Sequence, residues 1–196
     1  DPIRYFLYPK SSGNKINHIF HLSQLINEFN INIKNIDKVF EFGGGYGCMA
    51  RIFSKINPNV KYSCFDTSYV NLLQFYYLKH NNLDVGFSKK NNFFLNSNLK
   101  KINYKDYRSN KLFIANWSIS ETSIEFRKNF EIIIKNSNYI LIGFQEIFEN
   151  INNLNYFKDL KKKISNKFQV KIIKNQFYKG SLIKRQNHFY FLAKKN

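Results

Sequence analysis

The sequence predicts an α/β fold: an open, doubly wound, mostly parallel sheet of seven strands with a reversed strand near one edge. Three observations carry this. Helical and strand-like periods alternate along the chain without an internal repeat. At 38–56 a short apolar run enters a glycine-dense turn and leaves it as a helix. The chain also closes on two strand-like segments with no helix-length stretch between them, which suits an antiparallel pair at the end of a parallel sheet. Its 196 residues, 43% hydrophobic and 18% aromatic, supply one compact domain with a sizeable core. Only 22% are charged, against 21 Phe and 13 Tyr, which excludes a disordered chain.

Taken in order, 17–29 places Ile19, Leu22, Leu25, Ile26 and Phe29 at helical spacing. Residues 38–42 form the first strand, and 50–56 a helix stopped by Asn57-Pro58. The second strand is 60–65 and the next helix 69–79, followed by a weak third strand at 92–96 and a fourth at 111–116. A helix at 124–135, a fifth strand at 139–144 and an amphipathic helix at 154–164 lead to the closing strands, 169–174 and 187–194. We expect a single domain over 1–196, with 1–37 an N-terminal helical lid or cap and 38–196 the core.

Lys and Arg number 31 against 13 Asp and Glu, a formal +18 that points to nucleic acid or an anionic surface as partner. The lysines are spread along the whole chain without an Arg-rich stripe, so nucleic acid is an alternative partner and not the favoured one. The apolar runs are of strand length, too short for a membrane span. Cys48 and Cys64 cannot form a disulfide framework, no Cys/His spacing resembles a metal site, and the first residues lack signal-peptide features. A reduced, cytoplasmic protein is expected. The chain begins at Asp1, which suggests a piece of a longer protein.

The strongest local signal is Glu41-Phe42-Gly43-Gly44-Gly45-Tyr46-Gly47. Four glycines in five residues let a ligand lie directly against the backbone at a helix start. A P-loop is excluded, because neither the Lys nor the following hydroxyl residue is present. A dinucleotide fingerprint lacks its third glycine, Cys48 standing there. The pattern that fits is E/D-x-G-x-G-x-G, followed by Asp66 at the end of the next strand.

On these residues the chain resembles the S-adenosylmethionine-dependent methyltransferases of the Rossmann-like, seven-strand class. The resemblance implies S-adenosylmethionine as cofactor and S-adenosylhomocysteine as product, with the glycine loop against the methionine and ribose portions and Asp66 on the ribose hydroxyls. The implied cofactor set is Glu41, Gly43, Gly44, Gly45, Tyr46, Gly47, Asp66 and Thr67, with Asn96, Asn116 and Trp117 at later strand ends. The chemistry agrees, since this cofactor carries a sulfonium and an ammonium and no phosphate. Over about forty residues (39–79), Gly-Gly-Gly-Tyr-Gly, Ala50-Arg51, Phe65-Asp66, Asn71-Leu72-Leu73-Gln74 and Tyr76-Tyr77-Leu78 make the chain similar to sugar O-methyltransferases of surface-polysaccharide gene clusters. Thr67-Ser68 departs from the Leu-Pro turn of that family, which is also longer at its N-terminus.

Asn116-Trp117-Ser118 ends the fourth strand without the Pro-Pro of base-modifying amino-methyltransferases, which counts against N-methylation of nucleic acid and leaves room for a hydroxyl acceptor. Methyl transfer to a hydroxyl requires in-line alignment and removal of one proton. His18 and His21, one helical turn apart ahead of the first strand, are candidate bases. Glu121 and Glu146, following the fourth and fifth strands, are candidate acceptor-side carboxylates, with Gln145 next to Glu146 in sequence. His188, Tyr178 and Arg185 are further candidates near the last strand, and no metal is expected. The leading expectation is O-methylation of a sugar or glycan precursor; the alternatives are an RNA methyltransferase and a non-catalytic scaffold that keeps the fold.

Overall fold

The computed structural model describes residues 4–5, 8–102, 110–176 and 187–196, and most of its strands pair into one eight-stranded sheet. In chain order the principal elements are α1 (Gly13–Phe29), β1 (Lys38–Phe42), α2 (Cys48–Ile56), β2 (Lys61–Phe65) and α3 (Ser68–His80). There follow β3 (Val85–Gly86), β4 (Phe93–Asn96), β5 (Lys111–Asn116), α4 (Ile124–Lys128) and α5 (Glu131–Asn136). The last are β6 (Tyr139–Gln145), α6 (Asn153–Ile164), β7 (Phe168–Lys174) and β8 (His188–Lys195). Two short antiparallel hairpins, Arg4–Tyr5 with Tyr8–Ser12 and Ile147–Phe148 with Ile151–Asn152, lie outside the main sheet.

The order across the sheet is β7-β8-β6-β5-β1-β2-β4-β3. All pairs are parallel except those of β8, which runs antiparallel to both β6 and β7. The chain starts mid-sheet at β1, builds outward to β3, then crosses to β5 on the other side of β1. The topological switch point therefore lies between β1 and β5, where doubly wound sheets bind ligands. The reversed strand stands second from the edge, as expected. The strand count is eight where the sequence predicts seven, because β3 has only two residues and is too short to show an alternation.

Successive side chains of the central strands enter two separate cores. Leu112, Ile114, Leu141, Tyr190 and Leu192 point to the side of α1 and α2. Phe113, Ala115, Ile142, Phe144, Phe191 and Ala193 join Phe157 and Leu160 of α6 on the other. Burial on both faces explains why these strands read as unbroken apolar runs. Helix α1 begins four residues before its apolar period, because the Ser12 hydroxyl accepts the Lys15 N–H at 3.2 Å. It ends at Asn30, whose left-handed φ of 50° lets its N–H return to the Ile26 carbonyl.

The segment expected as one helix, 124–135, is two. Phe130 interrupts it and is fully buried, packing edge-on to Phe42 at 4.7 Å and against Phe65 at 5.1 Å. Arg127, just before the break, is buried too: its guanidinium donates to the carbonyls of Ser120 and Thr122 at 2.9–3.0 Å and lies over the Tyr156 ring. It ties down the loop that follows β5. We expect Arg127→Met to lower stability by about 1–2 kcal/mol, because it leaves two carbonyls without their donors; unchanged urea unfolding would refute this role.

A cavity of about 330 Å³ opens near the amino ends of β1, β2 and β5, and Lys38, Lys61, Lys89, Lys101 and Lys111 line it, with no carboxylate among the described residues. A second, of about 480 Å³, lies among α4, α6 and the 150–152 turn. Among the described residues no helix is long and apolar enough to cross a membrane, and no group of three His, Cys, Asp or Glu could hold a metal ion.

Candidate active site

The glycine turn joins the carboxyl end of β1 to α2, and three of its glycines take left-handed backbone: Gly43 (φ 71°), Gly45 (φ 54°) and Gly47 (φ 96°). Their surroundings differ. A β-carbon on Gly43 would fall 2.3 Å from Ser118 Cβ, and one on Gly44 would fall 2.6 Å from Cys64 Sγ and 2.8 Å from a Glu41 oxygen. A β-carbon on Gly45 would meet nothing within 4 Å. The turn is thus clamped on its inner side and bare at its tip, the shape required for a ligand to lie on main chain.

Beneath the turn, Glu41 is 3% exposed and accepts the Tyr62 hydroxyl proton at 2.7 Å. Burial raises its pKa to about 7 and the nearby Asp66 charge adds to the rise, while the Tyr62 hydrogen bond opposes it. Asp66, at the end of β2, is half-buried. Its carboxylate accepts the Thr67 N–H at 2.8 Å and the Gln74 amide at 3.2 Å. Burial lifts its pKa above the usual range, and the N–H groups of Thr67, Gly45 and Gly44 hold it down in part. Thr67 caps α3 by accepting the Val70 N–H.

Gln74 and Asn71 bind the two halves of this site together, and composition or spacing alone does not assign them that role. Gln74 also donates to the Gly45 carbonyl at 2.8 Å, and Asn71 donates to the Asp66 carbonyl at 3.3 Å. Both are buried amides in α3, each leaving its side-chain oxygen unpaired among the described residues. Tyr46 reaches the other way: its hydroxyl accepts the Asn14 amide of α1 at 2.9 Å, so the helix ahead of β1 touches the turn. Asn96 stands at the end of β4, but its side chain closes on Asn98, donating to one carbonyl and accepting one N–H, each at 2.9 Å.

The opposite wall comes from β5, β6, β8 and α1. Asn116 accepts the Gly143 N–H at 3.2 Å, leaving its buried side-chain amide nitrogen unpaired among the described residues. Trp117 takes φ 49°, an outlier for a bulky residue, and its ring crosses Gly143, where a β-carbon would lie 2.8 Å from it. Its indole N–H donates to His188 Nδ1 at 2.7 Å, and its ring centroid is 4.7 Å from that of His21. His21 Nδ1 in turn contacts the Tyr190 hydroxyl at 2.5 Å, which also accepts the Asn175 amide at 3.0 Å. His188 reaches this wall because β8 is antiparallel, so its first residue meets the carboxyl ends of the parallel strands. Tyr190 and Asn175 were not legible as site residues; their only signal was proximity to the last strand pair.

His18 and His21 are therefore brought to one wall with Trp117, but as buried imidazoles. Burial lowers the His18 pKa to about 4, and burial with the nearby His18 charge lowers that of His21 to about 3. Both are neutral at physiological pH. His18 Nδ1 is buried without a partner among the described residues. The two carboxylates are otherwise engaged: Glu121 accepts the Gln145 amide at 3.2 Å, and Glu146 accepts the Asn187 amide at 2.7 Å. Gln145 is itself held by the Ser120 hydroxyl at 2.9 Å, and the Ser118 hydroxyl donates to the Phe42 carbonyl at 2.6 Å. Tyr178 and Arg185 lie outside the described residues.

A sheet wound in this order, with a glycine turn after β1 and a carboxylate ending β2, defines the Rossmann-like methyltransferase fold. The chain is similar in structure to the methyltransferase domain of bacterial CtHen1, with a TM-score of 0.62 and 12% identity over 92% of this chain and 98% of that one. It is also similar to the plantazolicin methyltransferase in complex with S-adenosylhomocysteine, with a TM-score of 0.60 and 12% identity over 94% and 86%. A third likeness is to a SAM-dependent methyltransferase from Aquifex aeolicus, with a TM-score of 0.58 and 15% identity over 87% of each chain. At these identities the likeness is one of fold. No family model matches the chain, and no curated protein matches its sequence.

Proposed function

We propose that this protein is an S-adenosylmethionine-dependent O-methyltransferase acting on a sugar or glycan precursor. The observation that carries the cofactor is the left-handed turn, open at Gly45 and tied through Gln74 to Asp66. Glu41, Gly43, Gly44, Gly45, Tyr46, Gly47, Asp66 and Thr67 hold the cofactor, and Asn116 and Trp117 wall it on the β5 side. When bound, the cofactor supplies an electrophilic methyl group on a sulfonium. Trp117 and the neutral imidazoles of His18 and His21 form the wall on the acceptor side and position the acceptor hydroxyl. Asn14 joins α1 to Tyr46, which supports reading 1–37 as a cap on a single catalytic domain.

The sugar class rests on the two motifs that resemble the polysaccharide-cluster enzymes. Gly-Gly-Gly-Tyr-Gly and Asn-Leu-Leu-Gln lie 29 positions apart from Gly45 to Gln74 and meet in space through the Gln74 hydrogen bond. Calorimetric titration with S-adenosylmethionine and S-adenosylhomocysteine, with NAD as control, tests the cofactor; sugar nucleotides and glycans are then screened as acceptors. Silence toward both methionine ligands sinks the reading in favour of a scaffold. His18→Ala is expected to lower kcat ~10-fold through loss of acceptor positioning, and to leave S-adenosylhomocysteine affinity unchanged. An unchanged kcat removes His18 from the acceptor side.

An RNA acceptor is the second reading, favoured by the cavity that five lysines line, with no carboxylate among the described residues. It requires RNA binding that weakens steeply with added salt. Absence of RNA binding at low salt eliminates it.

A further inference from the structure

Helix α3 is built inside out. Its inward face carries the amides Asn71 and Gln74 with Leu78. Its outward face carries Tyr69, Leu72, Leu73 and Tyr76, at positions i, i+3, i+4 and i+7, which are 87, 58, 53 and 72% exposed. Next to this stripe, Phe75 stacks on Phe87, itself exposed, at 5.5 Å. The inward amides have a reason within the fold, since they hold the Gly45 turn and Asp66. The outward leucines and tyrosines have none. Surface helices ordinarily turn polar residues outward. Together the four side chains present on the order of 500 Å², the upper end of what a monomer leaves uncovered.

We propose that this face docks the protein on an anionic lipid surface. Shape argues first: the stripe lies on a helix ridge, and neither cavity described above includes any of its four residues. A ridge suits a fluid interface that closes around it, whereas a folded partner needs a matching groove. Charge argues second. Lys79 on the same helix and Lys89 and Lys90, just past Phe87, are exposed, and the whole chain carries +18. Anionic headgroups attract such a surface, while a second copy of the chain is repelled by it. The neighbouring acid, Asp84, is kept ionised by Asn91 and the Asn92 N–H and offsets one of these three lysines. Composition argues third, because tyrosines settle at headgroup level while leucines enter the acyl boundary. The stripe starts three residues after Asp66, so docking sets the glycine turn beside the lipid surface. None of this depends on the methyl-transfer reading.

The test is flotation of the protein with phosphatidylglycerol vesicles and with phosphatidylcholine vesicles at low and high salt, alongside light scattering in lipid-free buffer. The expected result is salt-sensitive flotation with phosphatidylglycerol alone and a monomer without lipid. The double variant Leu72→Ser/Leu73→Ser should lose at least ~10-fold in partition, given the apolar area removed, and keep the wild-type melting curve. Tyr69→Ser/Tyr76→Ser serves if the leucine variant misfolds. Wild-type protein that does not float, or a folded stripe variant that floats undiminished, overturns the proposal. So does a wild-type dimer that the variant dissolves, which gives the face to a second copy. Binding of a single-stranded RNA that the variant abolishes while flotation persists gives it to RNA.

Discussion

Replacing Asp66 by alanine is expected to weaken S-adenosylhomocysteine binding by roughly 10- to 150-fold, the equivalent of about 1.5–3 kcal/mol for hydrogen bonds to a charged group. The same substitution should leave the unliganded fold close to wild-type stability. Burial already raises the Asp66 pKa, so its charge is held at a cost in the free protein, and the N–H groups around it offset only part of that. On the proposed function that charge, at the tip of a strand beside an open glycine turn, serves the cofactor. Titration calorimetry and a melting curve on the same preparation separate the two effects. Equal affinity in both proteins removes Asp66 from the cofactor site, whereas lost affinity with lost folding assigns it a structural role.

The second large effect is expected from Glu41, whose folded pKa of about 7 stands above its ordinary 4.5. A carboxyl with a raised folded pKa contributes full stability below its unfolded value. Between about pH 4.5 and 7 the unfolded chain gives up the proton and the folded chain keeps it, so stability falls as pH rises. At about 1.4 kcal/mol per pKa unit, the loss across that window is on the order of 3 kcal/mol. Glu41→Gln keeps an acceptor for the Tyr62 hydroxyl and should flatten this fall, giving a higher Tm than wild type at pH 8 and little difference at pH 4. Cofactor binding should move oppositely. An ionised Glu41 favours the ammonium of the cofactor, so wild-type affinity rises several-fold from pH 6 to pH 8, and the Gln variant lacks that rise. Parallel pH profiles for the two proteins, in melting and in binding, would falsify both roles.

The acceptor wall follows a different logic. His18 and His21 were legible as a pair one helical turn apart, but a histidine's use depends on its protonation, which burial decides. With pKa values near 4 and 3, neither titrates in the physiological range, so the spacing that suggested a base of ordinary strength describes two neutral hydrogen-bonding groups. Glu121 and Glu146 show the same dependence on context. Each follows a strand end as the alternation predicts, and each is occupied by an amide that pattern alone could not place beside it, Gln145 and Asn187 respectively.

What the sequence by itself determined is everything that local chemistry dictates. Glycine at 43, 45 and 47 is needed where φ is positive, the alternation of apolar runs requires a sheet covered on both faces, and a carboxylate after the second strand lands beside the turn in any such winding. Even the reversed strand was legible, because no helix-length segment separates β7 from β8. Tertiary structure alone decided which distant residues meet. Insertion of β8 between β6 and β7 pairs Tyr190 with Gly143 and lays Trp117 over the missing side chain, against His21. Packing of α3 brings Gln74 onto Gly45 and Asp66 and turns Leu72 and Leu73 to the outside. The reason is range: backbone conformation and hydrophobic period are set within a few residues, whereas burial, charge state and hydrogen-bond partners depend on neighbours more than a hundred positions away, as His21 and Tyr190 are.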